Sequence, residues 1–103
     1  DTFHGHIEEK DQPEAIAHLG ARMHVLHVSE NDRGVPGTGQ VDFPAILRAA
    51  TATGFDGPVV VEAFGSGLPE LAAATRVWRP LFPDLETLFR EGAATIRAAA
   101  EAA

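Results

Sequence analysis

The apolar positions of the chain fall into short continuous runs and longer stripes with helical spacing, and glycines and prolines separate them. The short runs at residues 23–28 and 59–61 predict two β-strands. The second run is three consecutive valines, so both of its faces are apolar. That pattern is typical of a strand in a parallel sheet that helices cover on both sides. A polar stretch with several glycines, residues 29–40, predicts a turn-rich loop.

Four other stretches predict helices, the first from its capping residues, the third from its proline, and the second and fourth from an apolar stripe. We expect them to run over residues 13–19, over residues 43–53, from about Pro69, and from about Leu85 to the end of the chain. The first four residues are expected to form a functional loop. The order is therefore loop, α, β, α, β, α, α, which is that of an α/β protein with right-handed crossovers. Because two strands do not make a stable parallel sheet, we expect more strands from the same protein or from another chain.

Composition places the chain among ordinary globular proteins. It has 103 residues, which is one domain over residues 1–103, and 45% of them are hydrophobic against 22% charged. Eight basic and fifteen acidic residues give a net charge of −7. Nucleic-acid binding is a poor interpretation because no basic stripe is available to displace counterions. An anionic membrane surface is disfavoured for the same reason.

Three further observations concern the cellular compartment and the extent of the sequence. It has no cysteine, which excludes disulfides and thiolate metal sites and fits a reducing cytoplasm. It has no apolar run of the roughly 20 residues that a membrane span needs. The sequence starts at Asp1, and its one methionine is Met23, so we expect further sequence upstream of Asp1.

Residues that could bind a metal ion or take part in catalysis lie where the predicted strands end. His27 closes the first strand and Glu62 follows the second, while Asp1 stands where an earlier strand would end. Since the carboxyl ends of parallel strands form one active face, these three could converge. Two carboxylates and an imidazole suit Mn²⁺, Mg²⁺, Co²⁺ or Zn²⁺. Arg33, in the loop after His27, would add a fixed cation for substrate oxygens.

Each of these residues also has an ordinary structural interpretation. A histidine at a strand end can be a capping or core residue, and a carboxylate after an apolar strand needs a partner of any kind. His24 lies three residues before His27, so it points to the opposite face and is interpreted as structural. Trp78 and Arg79, just before a proline, are expected to pack at a helix end.

Several stretches together carry a resemblance to a known family. They read DTFH with IEE at residues 1–9, HVSENDRG at 27–34, PGTG with VDF at 36–43, and VEAF at 61–64. In this order and spacing they resemble the xylose isomerase-like TIM-barrel superfamily. Within it, the similarity is greatest to the ketose 3-epimerases of the D-tagatose 3-epimerase type, and it covers nearly the whole chain.

The resemblance implies a fold and a set of site residues. The fold would be the C-terminal portion of a (β/α)₈ barrel: the end of strand six, then strands seven and eight with their helices, incomplete as given. Asp1, His27 and Glu62 would be the metal ligands, and Glu62 would also be a catalytic acid/base. His4 and Arg33 would bind the sugar. A second glutamate, the fourth ligand, would lie on an earlier strand outside this chain.

The resemblance also implies a reaction. It would be the C3 epimerisation of a ketose through a metal-stabilised enediolate, with Mn²⁺ as the first choice of ion and Mg²⁺, Co²⁺ or Zn²⁺ as alternatives. From the net charge of −7 and the single well-placed cation, Arg33, we expect a small, neutral sugar as substrate. From the unpaired edges of the two strands we expect a homo-oligomer. Hydroxypyruvate isomerase-type and inosose-type activities use the same machinery and stay open. So do a hydrolase of the endonuclease IV branch and a truncated folding unit with no activity of its own.

Overall fold

Two parallel strands lie at the centre of the chain. The computed structural model describes residues 1–65 and 68–103. In it, β1 (Leu26–Val28) pairs with β2 (Val59–Val61) in a parallel two-stranded sheet. The connection between the strands contains α3 (Phe43–Ala52), so the predicted β-α-β order is confirmed. The first strand begins at Leu26, three residues into the predicted apolar run.

The other helices flank this unit on both sides in sequence. All four predicted helices are present, and each begins within one residue of its expected start. The helix from Pro69 ends at Ala74, well before Pro80, and the last helix ends two residues before the end of the chain. In chain order the remaining elements are α1 (Thr2–Glu8), α2 (Gln12–Leu19), a 3₁₀ turn (Gly20–Arg22), α4 (Pro69–Ala74) and α5 (Leu85–Glu101). None of the helices within residues 1–65 and 68–103 combines the length and apolar character needed to cross a membrane.

Helix α1 corrects the prediction of a loop at residues 1–4. Asp1 is its N-cap, and the Asp1 carboxylate accepts a hydrogen bond from the Phe3 N–H at 2.9 Å. The sequence showed no apolar stripe here because only Thr2 and Phe3 are buried, whereas Ile7 is 61% exposed. The helix depends on its cap and on those two contacts rather than on an amphipathic face.

Aspartate caps also fix where three other helices begin. In each case the carboxylate accepts from a backbone N–H in the first turn, which satisfies one of the donors that a helix start leaves unpaired. Helix α2 ends at Leu19, and its C-cap is Gly20, whose φ of 57° lies in the left-handed region that favours glycine. The three pairs are Asp11 with Glu14, Asp42 with Ala45, and Asp84 with Thr87.

The core lies on one side of the sheet, between the strands and helices α3 and α5. Leu26 and Val28 point into it and are almost fully buried, and the predicted apolar face of α3 packs against them. Burying a side chain of this size contributes about 1.5–3 kcal/mol. Helix α5 follows its predicted stripe only in part. Its buried residues are Leu88, Gly92, Ile96 and Ala99, while Leu85 and Phe89 are 45% and 41% exposed.

The expectation that both faces of the sheet are covered is wrong for this chain. Val60 is 41% exposed and Val59 is 38% exposed, so the valine run is only half buried. The expected packing of Trp78 at a helix end is also wrong, because this residue is 81% exposed. These surfaces are apolar areas that the described part of the chain does not cover.

Candidate active site at the carboxyl ends of the strands

His27 and Glu62 meet on the open face of the sheet. His27 lies opposite Val60 in the parallel register. Side chains alternate along a strand, so Glu62, two residues after Val60, lies on the same face as His27. The Glu62 N–H donates to the Val28 carbonyl at 2.8 Å, which extends the strand pairing and fixes the backbone. The Nδ1 atom of His27 lies 3.1 Å from Oε1 of Glu62, and this part of the predicted convergence is observed.

Arg33 occupies the other oxygen of the same carboxylate. Its NH1 donates to Glu62 Oε2 at 2.7 Å and to Ser29 Oγ at 3.0 Å, and its Nε donates to the Thr75 carbonyl at 3.0 Å. The arginine is only 3% exposed. The guanidinium predicted as a fixed cation is therefore held beside Glu62 by groups of this chain.

Aromatic and hydroxyl groups enclose the arginine. The Phe3 ring centroid lies 3.7 Å from Cζ of Arg33, within the range of a cation–π contact, and the Phe64 ring lies at 5.2 Å. Beside it, the Thr2 hydroxyl accepts from the Ser29 N–H and donates to the Ser29 carbonyl, both at 2.8 Å. Helix α1 is thereby attached to the end of β1 at Ser29, the residue whose hydroxyl accepts from the Arg33 guanidinium.

The backbone of Arg33 is in an uncommon conformation. Its φ of 67° lies in the left-handed region, which costs a residue other than glycine on the order of 1–3 kcal/mol. Such a conformation persists only where the surrounding structure imposes it. The side-chain bonds of Arg33 and the loop that carries it have to supply that restraint.

Glu30 organises that loop, residues 29–41. It is fully buried, and its carboxylate accepts from the backbone N–H groups of Asn31 at 3.0 Å, Gly37 at 2.8 Å and Val41 at 2.9 Å. The sequence analysis leaves Glu30 in the turn-rich loop and assigns it no role. A lone acid in a glycine-containing stretch is too general a signal, since its donors are backbone groups that no motif identifies.

The pKa of Glu62 is lowered from its ordinary value by its neighbours. Partial burial is the largest single influence and raises the pKa, but hydrogen bonds from Arg33 and His27 and the charges of both together outweigh it. Glu62 is therefore an ionised carboxylate at neutral pH. It can accept a proton or bind a cation without first losing a proton of its own.

Asp1 and His4 form a separate pair. One oxygen of Asp1 caps α1, and the other contacts Nδ1 of His4, whose side chain is 65% exposed. Among residues 1–65 and 68–103, no three His, Asp or Glu side chains are grouped so that they could hold a metal ion. The structure thus brings His27, Glu62 and Arg33 together and leaves Asp1 and His4 outside that group.

The two grouped donors nevertheless have the spacing of metal ligands. Nitrogen and oxygen ligands bind divalent ions at about 2.0–2.2 Å, so two adjacent ligands lie roughly 3.0–3.5 Å apart. The Nδ1–Oε1 distance of 3.1 Å falls in that range. An imidazole nitrogen with a carboxylate oxygen also suits Mn²⁺ or Zn²⁺. His27 and Glu62 therefore fit as part of a ligand set.

Comparison with known proteins shows the family of this chain. Residues 1–99 match the family model described as xylose isomerase-like TIM barrel. The chain belongs to the xylose isomerase-like TIM-barrel family. The resemblance predicted from the sequence is confirmed, and so is the assignment of the chain to this barrel family.

The relatives of this family member are named epimerases. It is 39% identical over 99 residues to the ketose 3-epimerase of Arthrobacter globiformis, covering 94% of this chain and 34% of that protein. A solved structure of L-ribulose 3-epimerase matches with a TM-score of 0.91 and 38% identity, over 98% of this chain and 35% of that one. A D-allulose 3-epimerase from Methylomonas sp., in complex with D-allulose, matches with a TM-score of 0.86 and 33% identity, over 96% of this chain and 35% of that one. The chain thus spans about a third of the length of the relatives it matches.

Proposed function

We propose that this chain is the last third of a (β/α)₈ barrel, from the end of strand six through strands seven and eight, and that the complete barrel is a divalent-metal-dependent ketose 3-epimerase. The observation that carries the proposal is the Glu62 carboxylate, which contacts His27 through one oxygen and Arg33 through the other at the carboxyl ends of two parallel strands. Active sites of these barrels lie at that end. The names of the matched relatives support the same reaction.

Glu62 is the proposed acid/base. The C3 proton of a ketose is adjacent to the carbonyl, and its removal gives an enediolate. Glu62 is ionised at neutral pH, so it can take this proton on one face of the sugar. Return of a proton on the other face, by a glutamate from an earlier strand, inverts the carbon. Because Arg33 holds Oε2 of Glu62 at 2.7 Å, the orientation of the reacting carboxylate is fixed before the sugar arrives.

His27 and Glu62 would hold the metal ion, with Asp1 as the further ligand proposed from the sequence. For Asp1 to join them, its carboxylate has to leave His4. The ion would supply Lewis acidity toward the carbonyl and the neighbouring hydroxyl of the sugar. Mn²⁺ is the first choice, with Mg²⁺, Co²⁺ or Zn²⁺ as alternatives. His4 and Arg33 are the proposed contacts to the sugar oxygens.

The charge of the chain favours a neutral sugar. The net charge is −7. In the ion pairs formed among residues 1–65 and 68–103, Arg33 is the basic side chain that pairs with Glu62. A phosphorylated sugar would need additional cations at this site. We therefore propose a neutral ketose as substrate.

An isotope experiment on the complete barrel tests the reaction. The protein, loaded with Mn²⁺, is incubated with a ketohexose in D₂O, and deuterium is located in the sugar by NMR. We expect deuterium at C3 and appearance of the C3 epimer, and we expect the isolated 103-residue chain to be inactive. Deuterium at C1, or turnover of hydroxypyruvate or an inosose in place of the ketose, would favour the other activities of this barrel. If no deuterium enters the sugar and none of these substrates is turned over, the proposed function is contradicted.

A further inference from the structure

The loop that carries Arg33 is held from inside by one carboxylate. Glu30 is fully buried, and its three hydrogen bonds come from N–H groups one, seven and eleven residues further along the chain. None of the ion pairs found in the described residues involves Glu30. A buried carboxylate that accepts several N–H groups makes strong, charge-assisted bonds, so its donors are fixed relative to one another.

The bonds of Glu30 close both ends of the loop. Asn31 is at its start, Gly37 at its middle and Val41 at its end, where α3 is about to begin. A second bond runs in parallel, because the Gln40 N–H donates to the Asn31 side-chain oxygen at 2.7 Å. The conformation of the loop therefore depends on an acceptor at its centre instead of on pairing with a neighbouring strand.

Arg33 lies inside the segment that Glu30 closes. Its N–H donates to the Glu30 carbonyl at 3.0 Å, and its φ is 67°. This left-handed turn directs the guanidinium back under the loop, to Ser29, Glu62 and Thr75. An extended or helical backbone at Arg33 would send the side chain elsewhere. The position of the guanidinium consequently depends on the conformation of the loop that Glu30 closes.

We infer that Glu30 is a positioning residue for the reaction, which acts by holding the loop so that Arg33 reaches Glu62. The inference rests on the proposed function, because it assigns a purpose to the Arg33–Glu62 contact. Glu30 itself faces the interior of the loop and touches neither His27 nor Glu62 through any described hydrogen bond.

Two substitutions disturb the loop that Glu30 holds, each in a different way. Glu30→Gln keeps the shape but puts an amide NH₂, a donor, among backbone N–H donors. Gly39→Ala keeps the carboxylate, yet a Cβ at Gly39 would meet Oδ1 of Asn31 first and would also lie 2.7 Å from Cγ and Cδ of Glu30. The loop therefore has to shift. Glu91→Gln, on the exposed surface of α5, is the matched control for the loss of one carboxylate.

The test is a double-mutant cycle with Arg33→Ala in the complete, metal-loaded barrel. A displacement of about 1 Å at a reacting group can cost about 10²-fold in rate, so we expect Glu30→Gln and Gly39→Ala each to lower kcat/KM by about that factor. If Glu30 acts through Arg33, the same changes made on the Arg33→Ala background lower it little further. If the two reductions in kcat/KM multiply fully, the inference is overturned, because independent losses mean that Glu30 does not act through Arg33.

A second readout does not depend on turnover. The Nε–H of Arg33 donates to Thr75, and its NMR signal is identified as the one missing from Arg33→Ala. We expect slow exchange of this proton in the wild type and in Glu91→Gln, and fast exchange in Glu30→Gln. An unchanged signal would contradict the positioning role even if the epimerase is active. An inactive wild type with this signal lost in Glu30→Gln would contradict only the proposed function. Global unfolding of both Glu30→Gln and Gly39→Ala would also overturn the positioning role, because Glu30 would then be a requirement of the fold.

Discussion

The Arg33 guanidinium and the Glu62 carboxylate form a close ion pair, with NH1 2.7 Å from Oε2. The side chain of Glu62 is 23% exposed and that of Arg33 is 3% exposed, so the pair lies at the border of the interior. One oxygen of Glu62 is thus restrained from inside the protein, and the other is directed toward His27 on the open face. This division lets a single carboxylate be both fixed in orientation and available for chemistry.

The first prediction concerns Glu62→Gln in the complete barrel. The amide cannot take up a proton as a base, so exchange of the substrate C3 proton with solvent should fall by at least about 10²–10⁴-fold, the usual effect of losing a general base. NMR measurement of deuterium incorporation at C3 checks this, with circular dichroism to confirm the fold. Glu86→Gln, on an 87% exposed side chain of α5, is the control and should exchange normally. Near-normal exchange by Glu62→Gln would remove Glu62 from the mechanism.

The second prediction separates sugar binding from metal binding. Arg33→Ala removes a proposed contact to the sugar oxygens, so we expect weaker sugar affinity. It removes neither Nδ1 of His27 nor Oε1 of Glu62, so we expect Mn²⁺ affinity to be retained. His27→Ala removes a donor nitrogen that is 3.1 Å from Glu62, so Mn²⁺ affinity itself should fall. Calorimetric titration of both variants, first with Mn²⁺ and then with sugar, checks this. Loss of Mn²⁺ binding in Arg33→Ala with unchanged sugar affinity would reverse the assigned roles.

Much of the fold could be predicted because its apolar periods are clean. The face of α3 formed by Phe43, Ile46, Leu47 and Ala50 is entirely buried, as expected. Helix α1 escaped prediction because it buries only two adjacent residues and has no stripe. Its one local signal was the acidic cap at Asp1, which sequence reasoning interpreted as a metal ligand.

The candidate site could be predicted only in part, because the structure groups His27, Glu62 and Arg33 but leaves Asp1 and His4 outside that group. Strand ends identified His27 and Glu62, because parallel strands bring their carboxyl ends to one edge. The role of Glu30 could not be predicted, since its partners are backbone N–H groups whose position depends on the folded loop. The left-handed backbone of Arg33 was equally hidden, because arginine has no preference for that conformation.

The third prediction concerns the pH dependence of helix α5. The backbone N–H of Thr87 donates to the Asp84 carboxylate at 2.7 Å. This bond and the nearby Thr87 hydroxyl hold the pKa of Asp84 below its ordinary value of 3.8. The stabilisation that this charge gives is complete above pH 3.8. It is lost as the pH falls through the lower pKa of the folded state. We expect the protection of the Thr87 amide against hydrogen exchange to fall in acid for this reason.

The matched variant for this prediction is Asp84→Asn. Asparagine also caps helices well but does not titrate, so protection of the Thr87 amide should change less between neutral pH and acid than in the wild type. Asp56→Asn, in the exposed turn before β2, controls for the loss of one surface carboxylate. If the wild type and Asp84→Asn lose protection in parallel, the cap charge has no part in the pH dependence.

The last prediction concerns assembly, and it depends on the open sheet. Among the described residues, β1 and β2 pair only with each other, so each has one edge without a partner strand. Val60 is 41% exposed, and Val25, just before β1, is 44% exposed. Unpaired edges next to apolar surface recruit further strands. A barrel of this type takes roughly 250 residues to close, whereas this chain has 103.

We therefore expect the isolated 103-residue chain to associate with copies of itself, whose strands or helices cover the open face. Sedimentation velocity at micromolar concentration checks this, with amide exchange on the same sample to report folding. Val60→Lys places a charge on the open face, so it should weaken association. The control Ala94→Lys, on the exposed surface of α5, should leave association unchanged because it lies away from the sheet. A monomer that unfolds cooperatively at this concentration would contradict the argument from strand edges, because it would show that two strands and their helices on one face are sufficient for a stable fold.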